Sequence, residues 1–426
     1  MNLMKRSLIL ISLFFIAAHF PHLTMGVEKS DKKLWTILVF LNADNNLEEF
    51  GYKDVQEMER VGSSDLVNVV VQFDGVNPLG TKRFLVKKTD DSYYQENTFH
   101  SPVVEDMPEQ DMGDVNVFRD FVTWGMEKYP AEHYAVIMWN HGSGWRKSGT
   151  YDKGISFDDT SGNYISTNQL ADGIDEILAI TGNKIDVFAF DACLMAMLEI
   201  ADSISGMADY LVASEDLIPG DGFPYFDLLK SFYAREDKSA KNLSIDMVET
   251  YGKSYSYGSQ GKQNVTLSAV DLSQVEMVKR RLNKFVSAVE ESGMDTKTLR
   301  KVVFGSQRYF DSDYRDLGDY VQNILSEVVS SKDVSPQNVS KESGVVGAGL
   351  NLIKAIQSSV VAKFSSAKFS RSQGLSIYIP YGRWESDWVY SPWHDPTNKT
   401  RLRYLNLKFS KTTAWPSHLD LLFPKI

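Results

Sequence analysis

The sequence predicts an α/β fold in which helices cover both faces of a mostly parallel sheet. Short runs of apolar, β-branched and aromatic residues recur along the chain, and segments with helical periodicity separate them. Continuous apolar runs of this length are typical of parallel strands buried on both faces, and their alternation with helices is typical of doubly wound sheets. At 426 residues, 43% of them hydrophobic, the chain is long enough to bury a large core.

The first predicted unit is a strand, a helix and a second strand. Residues 35–41 and 67–73 form the two apolar runs, and apolar residues recur between them every three or four positions. Asn45 and Asn46 precede that helical segment as candidate N-caps.

The alternation continues along the chain. The predicted helices are 114–128, 166–178 and 194–202, and the predicted strands are 134–139, 185–190 and 210–213. Residues 82–87 and 92–99 form a predicted hairpin. The pattern weakens after residue 219, although 265–270 and 375–379 remain predicted strands and 358–372 is predicted to form surface loops. A soft boundary is placed near residue 250.

The N-terminus has the layout of a signal peptide over residues 1–26. Lys5 and Arg6 precede an uncharged apolar run at 7–20 that is too short for a spanning helix, although a membrane anchor is the alternative. Removing this segment takes the formal net charge from −11 to −13. We therefore expect an exported chain, secreted or periplasmic, with no stable membrane span and no nucleic acid partner.

The single cysteine, Cys193, excludes an intrachain disulfide framework. It follows the strand 185–190 and directly precedes the predicted helix, so the thiol is expected at a strand's carboxyl end and at a helix N-terminus. That position favours the thiolate and hence nucleophilic attack. The alternative is an inert cysteine in the core.

His141 occupies a matching position. It ends the strand 134–140 and opens a glycine-rich turn at 142–145. Parallel strands that end in His and Cys bring both side chains to one edge of the sheet, where ligands bind in open α/β folds. The alternative for His141 is a surface residue at a strand end.

Three segments carry a family resemblance: Trp-Asn-His-Gly-Ser-Gly-Trp at 139–145, Phe-Asp-Ala-Cys-Leu-Met at 190–195, and Leu-Asn-Ala-Asp-Asn-Asn-Leu-Glu at 41–48. Together they resemble the clostripain family of cysteine peptidases. The resemblance implies a caspase-like α/β/α sandwich with a C-terminal helical extension. Residues 27–250 would be its catalytic core, and 251–426 would complete the sheet and add helices.

The resemblance also implies a Cys–His dyad of Cys193 and His141. The thiolate attacks the peptide carbonyl, the imidazolium protonates the leaving amine, and the backbone N–H groups of Gly142 and Cys193 are candidates to hold the oxyanion. A preformed thiolate would need no third, orienting side chain.

Relatives in this family cleave after Arg or Lys, and Asp191, two residues before Cys193, matches an acid of their S1 pocket. A buried aspartate pairs with guanidinium or ammonium through charge-assisted hydrogen bonds. Capping the following helix is the alternative role for Asp191. A second acid is expected from Glu215, Asp216 or Asp221, and Asp221 is favoured because glycines flank it.

Family members mature by cleavage within the loop that corresponds to residues 146–159. We expect self-processing at Lys153–Gly154, with an ordinary surface loop as the alternative. No cofactor is required for the chemistry and no His/Cys cluster has zinc spacing. Calcium is possible through Asp44, Asn45, Asp158 and Asp159, although capping and turn formation are favoured there because no EF-hand spacing is present.

The sequence therefore predicts a cysteine endopeptidase that acts on peptides or proteins after Arg or Lys. A catalytically silent caspase-like binding protein is the first alternative. A hydrolase that uses Asp158 and Asp159 is the second, but adjacent carboxylates on a strand point to opposite sides.

Overall fold

The computed structural model describes residues 32–76, 80–89, 97–145, 154–330, 344–380, 393 and 398–424. Its strands, in chain order, are β1 Lys33–Ala43, β2 Val67–Gly75, β3 Lys82–Leu85, β4 Val103–Asp106, β5 Ala131–Trp139, β6 Ile155–Asp158, β7 Asn163–Ile165, β8 Ile185–Asp191, β9 Ala208–Ala213, β10 Ser256–Gly258, β11 Gly261–Lys262, β12 Thr266–Asp271, β13 Tyr314–Asp316, β14 Val360–Ser365 and β15 Ser376–Tyr378.

The α-helices of the same residues, in chain order, are α1 Glu48–Glu59, α2 Val115–Lys128, α3 Thr167–Thr181, α4 Leu198–Ile204, α5 Tyr225–Ala234, α6 Ala240–Ser254, α7 Val275–Glu291, α8 Thr296–Gly305, α9 Leu317–Ser330, α10 Val345–Ser359, α11 Lys399–Asn406, α12 Lys408–Thr412 and α13 Trp415–Leu422.

One nine-stranded sheet organises the molecule, in the order β14-β12-β9-β8-β5-β1-β2-β3-β4. The five central strands, from β9 to β2, are parallel, and the pairs toward both edges are antiparallel. The predicted α/β fold with a mostly parallel sheet is therefore confirmed. Each of the five central strands falls on an apolar run that the sequence identifies as a strand.

The core consists of two layers, one on each face of the sheet. Along β1, Leu38 and Phe40 belong to one apolar cluster, whereas Ile37 and Val39 belong to the other. All four side chains are buried. Because successive side chains of a strand point to opposite faces, a sheet with helices on both sides requires this unbroken apolar sequence.

Side-chain caps fix the starts of two predicted helices. Asp114 accepts a hydrogen bond from Asn116 N at the start of α2, and Ser166 forms a reciprocal capping box with Gln169 at the start of α3. Both helices begin one residue after the predicted first residue, which is the cap itself.

Three local predictions are wrong. The helix predicted for 194–202 begins at Leu198, because Leu194 has a φ of 65° in the turn that separates β8 from the helix. The strand β3 pairs with β2 and β4 rather than with 92–99, of which 92–96 lie outside the described residues. The segment 358–372 contains the edge strand β14. The strand predicted for 375–379 is confirmed as β15, which pairs with β13 outside the main sheet.

The region after residue 250 packs directly behind the turn that carries Cys193. Ser376 N donates to Ala196 O at 2.9 Å, and Tyr378 N donates to Glu199 Oε1 at 2.9 Å. Trp415 Nε1 in turn donates to Tyr378 O at 2.9 Å. The strands β12 and β14 of this region also extend the main sheet.

Candidate active site

A cleft opens at the carboxyl ends of β5 and β8, where parallel strands of an open sheet present ligand sites. Its cavity volume is about 230 Å³. Both sequence-predicted reactive side chains line it, together with the loop that follows β9. The lining residues are Leu47, Trp139, Asn140, His141, Asp191, Ala192, Cys193, Leu217, Ile218, Pro219, Gly220 and Gly222.

The Cys193 thiol lies against the backbone of Ile218. Ile218 N donates to Sγ at 3.3 Å, and Sγ lies 3.7 Å from Ile218 O as a weak donor. Burial raises the pKa of Cys193 to about 11, and the charges of Asp216 and Asp191 add to this effect. Hydrogen bonds from the N–H groups of Ile218 and Gly142 lower the pKa of Cys193 and partly offset this rise. The resting thiol is therefore protonated at neutral pH.

The His141 imidazole contacts the side chain of Asn46. Nε2 lies 2.7 Å from Asn46 Oδ1. Asn46 was a candidate helix cap, but α1 begins after Leu47 without a side-chain cap. Burial lowers the pKa of His141, and the charge of Asp159 partly opposes this shift.

Burial therefore favours the uncharged form of both side chains, a neutral pair, and opposes the preformed thiolate that was expected. The helix that was to stabilise the thiolate begins five residues later, at Leu198. Cys193 instead lies in a turn, where its negative charge would be desolvated and would face acidic neighbours.

The glycine after His141 permits a close approach of two strand ends. A Cβ on Gly142 would lie 2.5 Å from Cys193 O and 3.0 Å from Cys193 N. A side chain at this position would therefore push the cysteine turn away from β5. Glycine at this position therefore permits the close approach of residues 142 and 193 at the cleft.

Asp191 lies at the base of the cleft with only 4% of its surface exposed. Its Oδ2 accepts hydrogen bonds from Phe223 N at 2.9 Å and Tyr225 OH at 3.0 Å, so Oδ1 remains for a ligand. Asp191 does not cap a helix. Burial raises the pKa of Asp191 to about 7, an effect that these two donors oppose.

Further acids lie near this base. Burial is the main cause of the raised pKa of Asp54 and of Asp191, and the charge of Asp191 adds to the shift of Asp54 as that of Glu57 adds to the shift of Asp191. Trp139 Nε1 donates to Asp54 Oδ2 at 2.6 Å. Sequence reasoning missed both residues, because an acid on an amphipathic helix has the pattern of a solvated residue.

The three residues considered for a second acid have different positions. Asp221 does not line the cleft, although its neighbours Gly220 and Gly222 do, and its charge raises the pKa of Asp54 and Glu57. Glu215 accepts a hydrogen bond from Tyr309 OH, and Asp216 accepts one from Phe310 N. These two acids therefore face the C-terminal region.

Both ends of the expected processing loop are anchored beside the cleft, whereas Lys153 lies outside the described residues, as do 146–152. Trp145 packs against Tyr378 and Tyr404, with ring centroids 4.7 Å apart in each case. Gly154 is buried, and its carbonyl accepts a hydrogen bond from Ser143 Oγ at 3.3 Å.

Comparison with known proteins identifies the family of this chain. The model of the clostripain family of peptidases matches residues 39–421. The chain belongs to the clostripain family. It is accordingly a cysteine peptidase, and peptidases of this family need no cofactor for catalysis.

Relatives extend the likeness over most of the chain. Clostripain of Hathewaya histolytica is 25% identical over 429 residues, which cover 88% of this chain and 79% of clostripain. A secreted C11 cysteine protease of Bacteroides thetaiotaomicron, solved with an irreversible peptide inhibitor, superposes with a TM-score of 0.64 at 19% identity, covering 90% of this chain and 99% of that one. An inactive zymogen C11 protease of Parabacteroides distasonis superposes at 0.63, with 19% identity and coverages of 90% and 98%.

These superpositions confirm the caspase-like fold of the chain. Within its described residues, no helix is both long enough and apolar enough to cross a membrane.

Proposed function

We propose that this clostripain-family peptidase is a secreted endopeptidase that cleaves after Arg or Lys through Cys193 and His141. The observation that carries the specificity is the Asp191 carboxyl, which is buried at the base of the cleft with one oxygen uncommitted. A guanidinium or ammonium group would supply the charge-assisted hydrogen bond that this oxygen lacks.

The reaction begins from the neutral pair. The imidazole takes the thiol proton as Sγ forms a bond to the substrate carbonyl carbon, so charge does not build up on an isolated thiolate. The carbonyl oxygen becomes an oxyanion near the N–H groups of Gly142 and Cys193. Collapse breaks the C–N bond, and His141 gives its proton to the leaving amine. Water then hydrolyses the thioester, with His141 again as the base.

Asn46 fits a positioning role in this sequence. Its Oδ1 accepts the Nε2 hydrogen of His141 when the ring carries its proton there. That arrangement leaves Nδ1 unprotonated, so Nδ1 is the nitrogen available to take the thiol proton.

Asp191 accounts for the preference at P1, and Asp221 would strengthen it. A buried aspartate with one free oxygen in the cleft favours a long cationic side chain over a neutral or acidic one. Asp221 would add negative potential near Asp191, since its charge also contributes to the raised pKa of Asp54 and Glu57.

Self-processing at Lys153–Gly154 is part of the proposal. Gly142 forms a β-bridge with Ile155, so the segment just after the proposed cleavage site lies beside the turn that carries His141. Gly142 N–H also donates a hydrogen bond that lowers the pKa of Cys193. Export follows from the signal-peptide layout of 1–26, which lies outside the described residues, and the Bacteroides relative is described as secreted.

The experiment compares fluorogenic peptides that end in Arg, Lys, Asp or Asn, with and without a thiol alkylator. We expect alkylator-sensitive hydrolysis after Arg and Lys and none for Cys193→Ala or His141→Ala. Asp191→Asn should lower kcat/KM for Arg by at least about tenfold, as expected for loss of a charge-assisted bond, and Asp221→Asn should lower it less. Absence of any hydrolysis by the loop-cleaved chain would instead favour a silent binding protein.

Self-processing is measured separately by intact mass after incubation. We expect cleavage after residue 153 in the parent chain, and no cleavage in Cys193→Ala or Lys153→Ala. The matched control is Lys147→Ala, in the same loop, which should be cleaved like the parent. Cleavage of Cys193→Ala at the parent's rate would rule out self-processing.

A further inference from the structure

Two large apolar side chains are exposed in segments that contact one another beside the cleft, and the proposed reaction uses neither of them. Leu217, in the loop that follows β9, lines the cleft and has 38% of its surface exposed. Phe310 belongs to the segment between α8 and β13, and 69% of its surface is exposed. Single exposed apolar side chains are common on protein surfaces, so these two matter only if the fold holds them together.

Asp216 connects both residues to the nucleophile. Its Oδ1 accepts a hydrogen bond from Phe310 N at 2.7 Å, and Leu217 is the next residue of the chain. Leu217 in turn directly precedes Ile218, whose N–H donates to Cys193 Sγ at 3.3 Å. The fold therefore holds residues 217 and 310 together, close to the thiol.

Tyr309 fixes the direction in which Phe310 points. The Tyr309 side chain is buried, and its hydroxyl group donates to Glu215 Oε1 at 2.7 Å. Because Tyr309 occupies the interior and Phe310 N–H is bonded to Asp216, the Phe310 ring is held at the surface. The exposed ring is thus anchored, through its own backbone and its neighbour, to the two residues that precede Leu217.

The strand order determines which part of a substrate reaches this surface. The sheet runs β9-β8-β5, so Cys193 after β8 lies between the loop of Leu217 after β9 and His141 after β5. In the proposed reaction His141 gives its proton to the leaving amine, so the leaving part of the substrate lies on the His141 side. The acyl part, which stays bonded to Sγ, therefore extends on the side of Leu217.

The residue before the cleaved one, P2, is the part of the acyl chain that comes nearest. Successive side chains of an extended peptide point to opposite sides. When the P1 side chain is directed to Asp191 at the base of the cleft, the P2 side chain therefore lies at its opening. Leu217 is partly exposed at that opening, one residue away from the Ile218 backbone that contacts the thiol.

We propose that Leu217 and Phe310 form an apolar subsite for the P2 side chain, so that preferred substrates carry a large apolar residue before the basic one. The inference rests on the proposed function, because Cys193 and Asp191 orient the substrate in it. A large apolar P2 side chain would remove water from both exposed side chains, which is favourable in proportion to the apolar area covered. A glycine at P2 would leave that surface in water.

The test uses peptides X-Arg with a fluorogenic leaving group, in which the P2 residue X is Leu, Phe, Ala or Gly. We expect kcat/KM for Leu and Phe to exceed that for Gly by at least about tenfold, the lower end of the range for an apolar pocket, because this subsite is open to solvent. Leu217→Ala and Phe310→Ala should each lower the Leu:Gly ratio by at least about threefold, since each side chain supplies part of the surface. The ratio is taken within each variant, so a general loss of activity does not alter it.

Two matched controls remove exposed side chains of the same types elsewhere. Phe304→Ala, on α8, and Leu350→Ala, on α10, should keep the parent's Leu:Gly ratio. A parent ratio near one, a parent-like ratio in both subsite variants, or an equal fall in the controls would overturn the inference and leave the preference for Arg or Lys intact. No hydrolysis of any X-Arg peptide would instead remove the proposed function, and the inference with it.

Discussion

When the reaction starts from a neutral thiol and a neutral imidazole, its rate depends on the histidine and on the residue that orients it. With the pKa of Cys193 raised to about 11 and that of His141 lowered, the thiol proton must move as the carbonyl is attacked. The imidazole then has to present one nitrogen in the right tautomer at that moment. Asn46 is the side chain in contact with its other nitrogen.

Replacing Asn46 should therefore affect kcat more than KM or stability. We expect Asn46→Ala to lower kcat by about tenfold, the equivalent of one lost hydrogen bond of roughly 1–1.5 kcal/mol, with KM and Tm nearly unchanged because Asn46 is exposed. Asn46→Asp should move the acid limb of the pH profile of kcat/KM to higher pH, because a carboxylate favours the imidazolium and raises the pKa of His141. Steady-state kinetics over pH measures both effects.

The control for Asn46 is Asn116→Ala, an exposed asparagine at the start of α2. It should keep the parent's kinetic constants. A parent-like kcat for Asn46→Ala, or a loss that follows a fall in Tm, would contradict the positioning role.

At this scale the sequence predicted which side chains meet, but not their protonation. Cys193 and His141 share a cleft because both follow parallel strands, and strand order decides which edge they reach. The raised pKa of the thiol comes from burial, and the positive φ of Leu194 delays the start of α4, so no helix begins at Cys193. A positive φ at a leucine is costly, and no local pattern announces it. Asp54 and Asn46 required knowledge of how α1 packs.

At the scale of elements, asparagine side chains attach the β6–β7 hairpin to the sheet. Asn140 donates to Asn42 O at 2.7 Å and to Phe157 O at 3.0 Å, and its Oδ1 accepts from Phe157 N at 2.8 Å. Asn42 donates to Ser156 Oγ and to Phe157 O. The strand β6 of this hairpin forms the C-terminal end of the expected processing loop 146–159, so its attachment fixes that end of the loop.

Asn140→Asp should loosen the hairpin. The substitution keeps the size of the side chain but replaces two donated hydrogen bonds with a carboxylate that faces two carbonyl oxygens. Because Asn140 is 3% exposed, we expect a loss of about 2–4 kcal/mol in the free energy of unfolding. Urea denaturation in the Cys193→Ala background measures this loss without self-cleavage.

The matched control is Asn163→Asp, at the exposed first residue of β7 in the same hairpin, where the amide donates one hydrogen bond, to Asp111 at the surface. It should change the free energy of unfolding by less than about 1 kcal/mol, as surface substitutions do. Equal effects of the two substitutions would mean that the Asn140 bonds do not hold the hairpin.

Elements with a local signal were predicted correctly and those set by distant partners were not. The helices α2 and α3 have caps in their own sequence, and β1 and β2 are unbroken apolar runs. The edge strand β14 is only partly buried and lies in a serine-rich tract, so its sequence resembles that of a loop. Pairing with β12 makes it a strand.

At the scale of the whole molecule, the net charge of −11 is not only a surface property. Several acids are buried, and burial raises the pKa of Glu199 to about 7 and that of Asp316 to about 6. Composition does not locate these buried acids, because burial of an acid depends on contacts that the sequence does not show. Glu199 accepts from Tyr378 N and Tyr404 OH, both contributed by the region after residue 250.

A raised pKa in the folded state makes stability fall as pH rises. An unfolded glutamate has released its proton above about pH 4.3, whereas folded Glu199 retains its proton to about pH 7. Its contribution is therefore complete below the unfolded pKa and is lost as pH rises through the folded one. Between about pH 5 and 7 the loss approaches one proton, or about 1.4 kcal/mol per pH unit.

Glu199→Gln isolates this contribution, because glutamine resembles the protonated acid and does not titrate. In the Cys193→Ala background, we expect the free energy of unfolding of the Glu199→Gln variant to rise relative to that of the parent as pH increases from 5 to 7. The buried His418, whose pKa burial lowers to about 3, opposes the fall of stability equally in both chains and cancels in the difference. Glu132→Gln, exposed on β5, should give a curve parallel to the parent's. Urea titrations at each pH measure the difference, and a Glu199→Gln curve that also runs parallel to the parent's would show that Glu199 is already ionised in the fold.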